Sequence, residues 1–300
     1  MPYAQVWTTA SVASTSGGTF ADSLTANSPD SLPVANYGAA TFNGDYGARI
    51  IEAYAIDSAH VGELEVYYSR PESTHDQQHG WRSQIQAVAF NSVGHVKSVS
   101  ILDGRDKIPL YRSDTPTISC TSTASDCVMY GFLTEYLDLP GSAANLVTPS
   151  VVDAGFKSRV GINVAAESST ATAGLYGTTR AINADDPRLH ANTWYAILGI
   201  NVQTPVFAVT MIAPDFGGQR LGVPAGSINI NSSSWFLDQS IKWGTGGTPQ
   251  KMIPVFNSNN AGNTLLQVAD AVTSLTPGID VQMVELNYPS TWNPLTAAMA

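Results

Sequence analysis

Gly62-Glu63-Leu64-Glu65-Val66-Tyr67-Tyr68 alternates strictly, with Glu63, Glu65 and Tyr67 on one side and Leu64, Val66 and Tyr68 on the other. A two-residue period of this kind is the mark of a β-strand with unlike faces. Downstream, residues 83–90 repeat it, setting Gln84, Gln86, Val88 and Phe90 against Ile85, Ala87 and Ala89. The same reading predicts strands at 50–56, 95–102, 156–165, 194–202, 206–212, 226–230 and 281–286. Turn pairs separate them: Asn43-Gly44, Asp103-Gly104, Pro140-Gly141, Gly217-Gly218 and Pro277-Gly278. Many short strands punctuated in this way predict an all-β sandwich or barrel.

Helices are expected to be one or two and short. Leu265, Val268, Ala269, Val272 and Leu275 have the spacing of one helical face and are followed by Pro277-Gly278, which predicts a helix over 265–275. A second is predicted over 126–139, with Asp126 as N-cap and Pro140-Gly141 as stop. The segment 139–149 is then a mid-chain linker between strand-rich halves. The expected organisation is an N-terminal arm and edge strands over 1–48, a first β-sandwich over 49–145 and a second over 146–300.

Composition narrows the function. Only 13% of the 300 residues are charged, about half the usual share. Ser and Thr, 57 together, supply the polarity instead. Few charges suit a surface that is largely covered by neighbours, because interface cores are depleted in Lys, Glu and Asp. A net charge of −10, with no Lys or Arg before Arg49, argues against a basic nucleic-acid footprint and against a basic packaging arm. The N-terminus also lacks the positive start of a secretory signal. The longest apolar stretch, 194–214, is broken by Asn201, Gln203, Thr204 and Pro205 and predicts two strands rather than a membrane span. Cys120 and Cys127 are too few for a disulfide framework or a four-ligand zinc site; either a local bridge or two free thiols fits them.

Signatures of catalysis are missing: there is no G-x-S-x-G elbow, no H-E-x-x-H and no Gly-Lys of a phosphate loop. Gly244-Thr245-Gly246-Gly247-Thr248-Pro249 is a glycine-rich loop, since Pro249 does not let a helix open there. His75 and His79 are an i, i+4 pair, but they stand between Arg70-Pro71 and Gly80 without a third ligand, so a solvated loop is expected. Glu63 and Glu65 share a strand face without the spacing of a hydrolytic pair. Asp103-Gly104-Arg105-Asp106 is a charged hairpin turn, and Asn231-Ser232-Ser233 matches a glycosylation sequon. His60, His95 and His190 are isolated. Trp7, Trp81, Trp194, Trp235, Trp243 and Trp292 are scattered, as core or interface anchors are. No catalytic residue, cofactor or metal site is therefore expected, and the protein is not expected to be an enzyme.

Two stretches of the second half carry a resemblance. Asn192-Thr193-Trp194-Tyr195-Ala196-Ile197-Leu198-Gly199 is followed by Ala213-Pro214-Asp215-Phe216-Gly217-Gly218-Gln219-Arg220-Leu221-Gly222-Val223-Pro224-Ala225-Gly226. Together they resemble a strand and a glycine-rich turn of the major capsid proteins of small tailless, icosahedral phages, although Phe216 and Gln219 depart from that pattern. The resemblance implies two tandem jelly rolls, homotrimeric capsomers and a place in the virion after assembly in the host cytoplasm. It also implies neighbouring capsomers, minor capsid, vertex or internal membrane proteins as partners. Within the turn, Gly217, Gly218, Gly222 and Gly226 are expected to permit positive φ and close backbone approach, and Arg220 is expected to pair with Asp215. The competing expectation is a carbohydrate-binding or adhesin-type β-sandwich of a spike or fibre.

Overall fold

The computed structural model describes the backbone of the strands between residues 3 and 137, with side chains there only at Arg49, Ile51, Leu133 and Glu135. It describes 142–296 apart from 168–175, 187, 203–205, 207, 225–231, 245 and 270–273. The first half forms β1 (Tyr3–Ser11), β2 (Thr19–Ser23), β3 (Ala48–Asp57), β4 (Gly62–Ser69), β5 (Gln78–Ile85), β6 (Ala89–Phe90), β7 (His95–Val96), β8 (Val99–Ser100), β9 (Ile108–Leu110), β10 (Thr115–Ser122) and β11 (Cys127–Leu137). The second forms β12 (Leu146–Val147), α1 (Pro149–Ala154), β13 (Phe156–Ala165), β14 (Arg180–Ala181), β15 (Trp194–Val202), β16 (Ala208–Ile212) and β17 (Arg220–Pro224). It continues with α2 (Trp235–Lys242), β18 (Ile253–Asn257), β19 (Leu265–Ala269) and β20 (Gly278–Leu286). The chain is mostly β, as expected, and none of its described helices is long and apolar enough to cross a membrane.

Strand order repeats between the halves. One sheet runs β14-β19-β16-β17-β1-β11-β3-β8, with β9 also on β3; the others run β2-β10-β4-β5 and β12-β18-β15-β20-β13. Leave aside the β6–β7 hairpin and β12, and count eight strands per half, with β8 and β9 sharing the sixth place. Each half then has one sheet in the order first, eighth, third, sixth and another in the order second, seventh, fourth, fifth. The nine-stranded sheet joins the halves at a parallel bridge, Gln5 to Leu221. Ile51 and Leu133 of the first half share one apolar cluster with the second-half core.

In the second half two sheets pack face to face. Val209, Met211, Leu221, Val223, Leu266 and Val268 meet Tyr195, Ile197, Ile279, Val281 and Met283 across the core. The other face of the five-stranded sheet is also covered: Trp194, Ala196, Leu198, Val255 and Val284 pack with Val151 and Val152 of α1 and with Trp292. A strand buried on both faces loses its alternation and reads as an apolar run, which is why β15 gives the longest one. Trp194 and Trp235 lie in these cores, while Trp292 stacks on Tyr288 with ring centroids 4.2 Å apart.

Both predicted helices are corrected. Leu265–Ala269 is a strand, because β16 and β14 pair with it on its two sides and Leu266 and Val268 fill the core together. The apolar set there satisfies both periods, and pairing partners decide between them. Cys127–Leu137 is likewise a strand, flanked by β1 and β3 over most of its length. Tyr130, Phe132, Thr134 and Tyr136 are good strand formers, and Gly131 is a poor helix former. The helices that do form, α1 and α2, are short; Pro149 opens α1 after Thr148. Predicted strand 95–102 is split into β7 and β8, and 226–230 lies outside the described residues.

Gln219 buries both amide atoms without a hydrogen-bond partner among the described residues. A buried unpartnered polar group costs about 1–3 kcal/mol, so Gln219→Met should raise stability by about 1 kcal/mol or more. A urea midpoint that falls in this variant would show that the amide has a role.

Candidate functional site

A cluster of ionisable groups forms around Glu285, the one charge in the run Val281–Leu286. β20 lies between β13 and β15, which sets Glu285 opposite Ser158 on one side and Tyr195 on the other. A register shift between Phe156 and Ser158 inserts Lys157 as an extra residue, so Lys157 and Ser158 both reach the carboxylate. Lys157 Nζ donates to Oε1 at 2.6 Å and Ser158 Oγ to Oε2 at 2.9 Å. His190 Nδ1 lies 3.0 Å from Oε1, and its backbone N–H donates to the Tyr195 hydroxyl at 2.8 Å. Glu285 is only 2% exposed, whereas the Lys157 and His190 side chains are 52% and 69% exposed.

Burial pushes the Glu285 carboxyl up, but hydrogen bonds from Lys157, His190 and Ser158, with the Lys157 charge, more than offset it and hold the pKa at about 2. Burial is also the main reason that the Tyr195 phenol is raised. The cluster includes a serine, a histidine and a carboxylate, yet Ser158 and His190 both turn to Glu285. A nucleophile needs its base within hydrogen-bond reach, and the Ser158 hydroxyl donates to a carboxylate too acidic to keep its proton. The arrangement is that of an internal ion cluster. Over its solvent side lies a shallow depression of about 490 Å³, lined by Arg159, Gly161, Arg188, Leu189 and His190 with Glu285 at its base.

A depressed carboxyl gives a pH dependence with a definite sign. Its contribution is complete above the ordinary value of 4.5 and is lost as pH falls through about 2. Wild-type protein should therefore lose about 2–3 kcal/mol across that window beyond what Glu285→Gln loses. Urea unfolding of both proteins at stepped pH measures this, and parallel curves would dismiss the cluster as a stabilising element.

Asp215 is the centre of a second polar cluster. It precedes Gly217 and Gly218, both at positive φ as expected from the sequence; Gly222, given the same expectation, lies within β17 without it, and Gly226 lies outside the described residues. Its carboxylate accepts from Asn260 Nδ2 at 2.8 Å, from Asn257 N at 3.2 Å and from Asn145 Nδ2 at 3.3 Å. Its carbonyl accepts from Asn145 N at 2.8 Å. Burial raises the carboxyl's pKa, against these donors. The expected Arg220–Asp215 pair is thus corrected: amides surround Asp215, and Arg220 Nη1 donates to Gln267 Oε1 at 2.8 Å. The turn serves to hold the linker residue Asn145.

The other candidates are dispersed. Glu63 and Glu65 lie on β4, opposite Gln84 and Arg82 of β5. His79 belongs to β5, opposite Tyr68, which corrects the loop expected over 75–79 at that end; His75 lies outside the described residues. Cys120 and Cys127 belong to β10 and β11, in different sheets, and their side chains lie outside the described residues. Asp103 to Asp106 and Asn231 also lie outside them. Among the described residues no three His, Cys, Asp or Glu side chains are grouped to hold a metal. Sequence reasoning passed over Glu285, Lys157 and His190. The available signal was a single carboxylate in a strand apolar on both sides, which needs a partner from elsewhere.

No protein-family model matches the chain, and no curated protein matches it. Among solved structures, the cryo-EM structure of T=1 Penaeus vannamei nodavirus is similar over 81% of this chain and 83% of that chain, at 8% identity and a TM-score of 0.21.

Proposed function

We propose that this protein is a non-enzymatic structural subunit of an icosahedral virion shell, folded as two tandem jelly rolls and assembled as trimeric capsomers in the host cytoplasm. The observation that supports it is the repeated strand order. First, eighth, third, sixth beside second, seventh, fourth, fifth is the order produced when two Greek keys are wound into facing sheets, as in the jelly rolls of viral capsids. A boundary near residues 145–146, after β11 and before β13, divides the strands into those two sets. Low charge supports the same reading, since large obligate interfaces are poor in Lys, Glu and Asp. The resemblance of the Asp215–Gly226 turn to phage capsid proteins is consistent with it. Other capsomers, minor capsid, vertex or internal membrane proteins are the partners this reading proposes.

Size-exclusion chromatography with light scattering, followed by negative-stain microscopy, tests the proposal. Trimers with cyclic symmetry, or closed shells, are expected. A protein that stays monomeric at high concentration and binds a glycan array would replace it with the adhesin reading.

A further inference from the structure

β13 is an edge strand of the five-stranded sheet, and its free edge is treated differently along its length. At the C-terminal end Asp185, Asp186 and Arg188 lie beside it. Ala165 N donates to Asp185 Oδ2 at 3.0 Å, and Arg188 Nη2 donates to the Gly161 carbonyl at 2.8 Å. These bonds use backbone groups that point away from β20. Since the register is regular from Ser158 to Ala165, every odd residue of that stretch points outward, Arg159 included. Side chains thus occupy the edge at 161–165, a known way of blocking strand addition.

At Arg159 no described residue does this. Its backbone N–H and carbonyl face outward at the rim of the depression, and its exposed guanidinium makes no hydrogen bond or ion pair with any described residue. The neighbouring charges are already used: Lys157 on Glu285, and Arg188 on Asp186. The His190 side chain is 69% exposed, and Phe156, three residues upstream of Arg159, is 51% exposed. The place therefore offers one free strand edge, one free cation and one apolar contact.

We infer that the open end of the β13 edge is a self-association site, which seats a short, extended, carboxylate-bearing segment of a second copy of this chain. The inference rests on the shell-subunit reading. Charge complementarity favours a second copy: 24 acidic residues against 14 basic give each copy a net charge of −10, so a locally cationic edge has acidic surface as its counterpart. Main-chain bonds to Arg159 supply the strand pairing, and its guanidinium fixes the register by pairing with a carboxylate.

Sedimentation velocity of the full chain over a concentration series tests this with Arg159→Glu and Arg159→Pro. Proline removes an outward N–H, which no bond to β20 uses, and its fixed φ is tolerated on an edge strand. Both variants should weaken association by about tenfold or more with melting temperatures near wild type. In the wild type, hydrogen exchange of the peptide spanning 156–161 should slow as concentration rises, a readout that does not depend on either variant folding. Unchanged association in both variants, or exchange independent of concentration in an assembling wild type, overturns the site and leaves the shell reading standing. Loss with Arg159→Glu alone overturns the strand pairing and retains only the ionic contact. A wild type that never associates overturns both readings, and capture of an acidic glycan by that monomer, abolished in Arg159→Glu, would reassign the edge.

Discussion

Val268→Asp should leave the second half unable to fold. Val268 is fully buried on β19, between Val209 of β16 and the facing sheet. Burial of a Val side chain is worth about 1.5–3 kcal/mol, and an unpaired carboxylate in its place costs several kcal/mol more. Against a total stability of about 5–15 kcal/mol, the sum leaves little or nothing. Circular dichroism and the yield of soluble protein are the measurements. Wild-type melting in this variant would mean that β19 does not occupy the core, and Val268→Ala, a smaller loss, calibrates the response.

Gly217→Ala should be the second large effect, and its neighbour supplies the control. Gly217 has φ 63°, and a Cβ there would overlap the backbone carbonyl of Ser142 in the linker. A non-glycine residue in that region costs about 1–3 kcal/mol, and relieving the overlap must also displace the linker. Asn145, held by Asp215 and by Val255 N at 2.9 Å, would move with it. Gly218 has φ 76° with no atom within 4 Å of a built Cβ, so Gly218→Ala should show the conformational cost alone. We expect Gly217→Ala to lose about 2–4 kcal/mol and Gly218→Ala about 1 kcal/mol. Proteolysis within the linker should also be faster in the first variant only. Equal losses in the two would remove the linker contact from the account.

This linker seat gives the glycine-rich turn a structural role. The turn caps the entry to β17, and through Asp215 it ties the chain that leaves the first half to β18 of the second.

Alternation and turn pairs were enough to make the chain all-β and to locate most long strands, because a pleated strand with unlike faces leaves a two-residue period in any sequence. They passed over β1 and β10 and failed at 265–269 and 126–139, where the apolar positions satisfy both helix and strand and the decision came from hydrogen-bond partners far along the chain. The sequence by itself also determined the low charge and the cation-free stretch before Arg49, since these depend on composition alone. Only the tertiary structure decided the repeated strand order, the partners of Glu285 and Asp215, and which end of the β13 edge stays open. Each of those depends on contacts between residues dozens of positions apart: Lys157 and Glu285 are 128 positions apart in the chain, and no local pattern records that they meet.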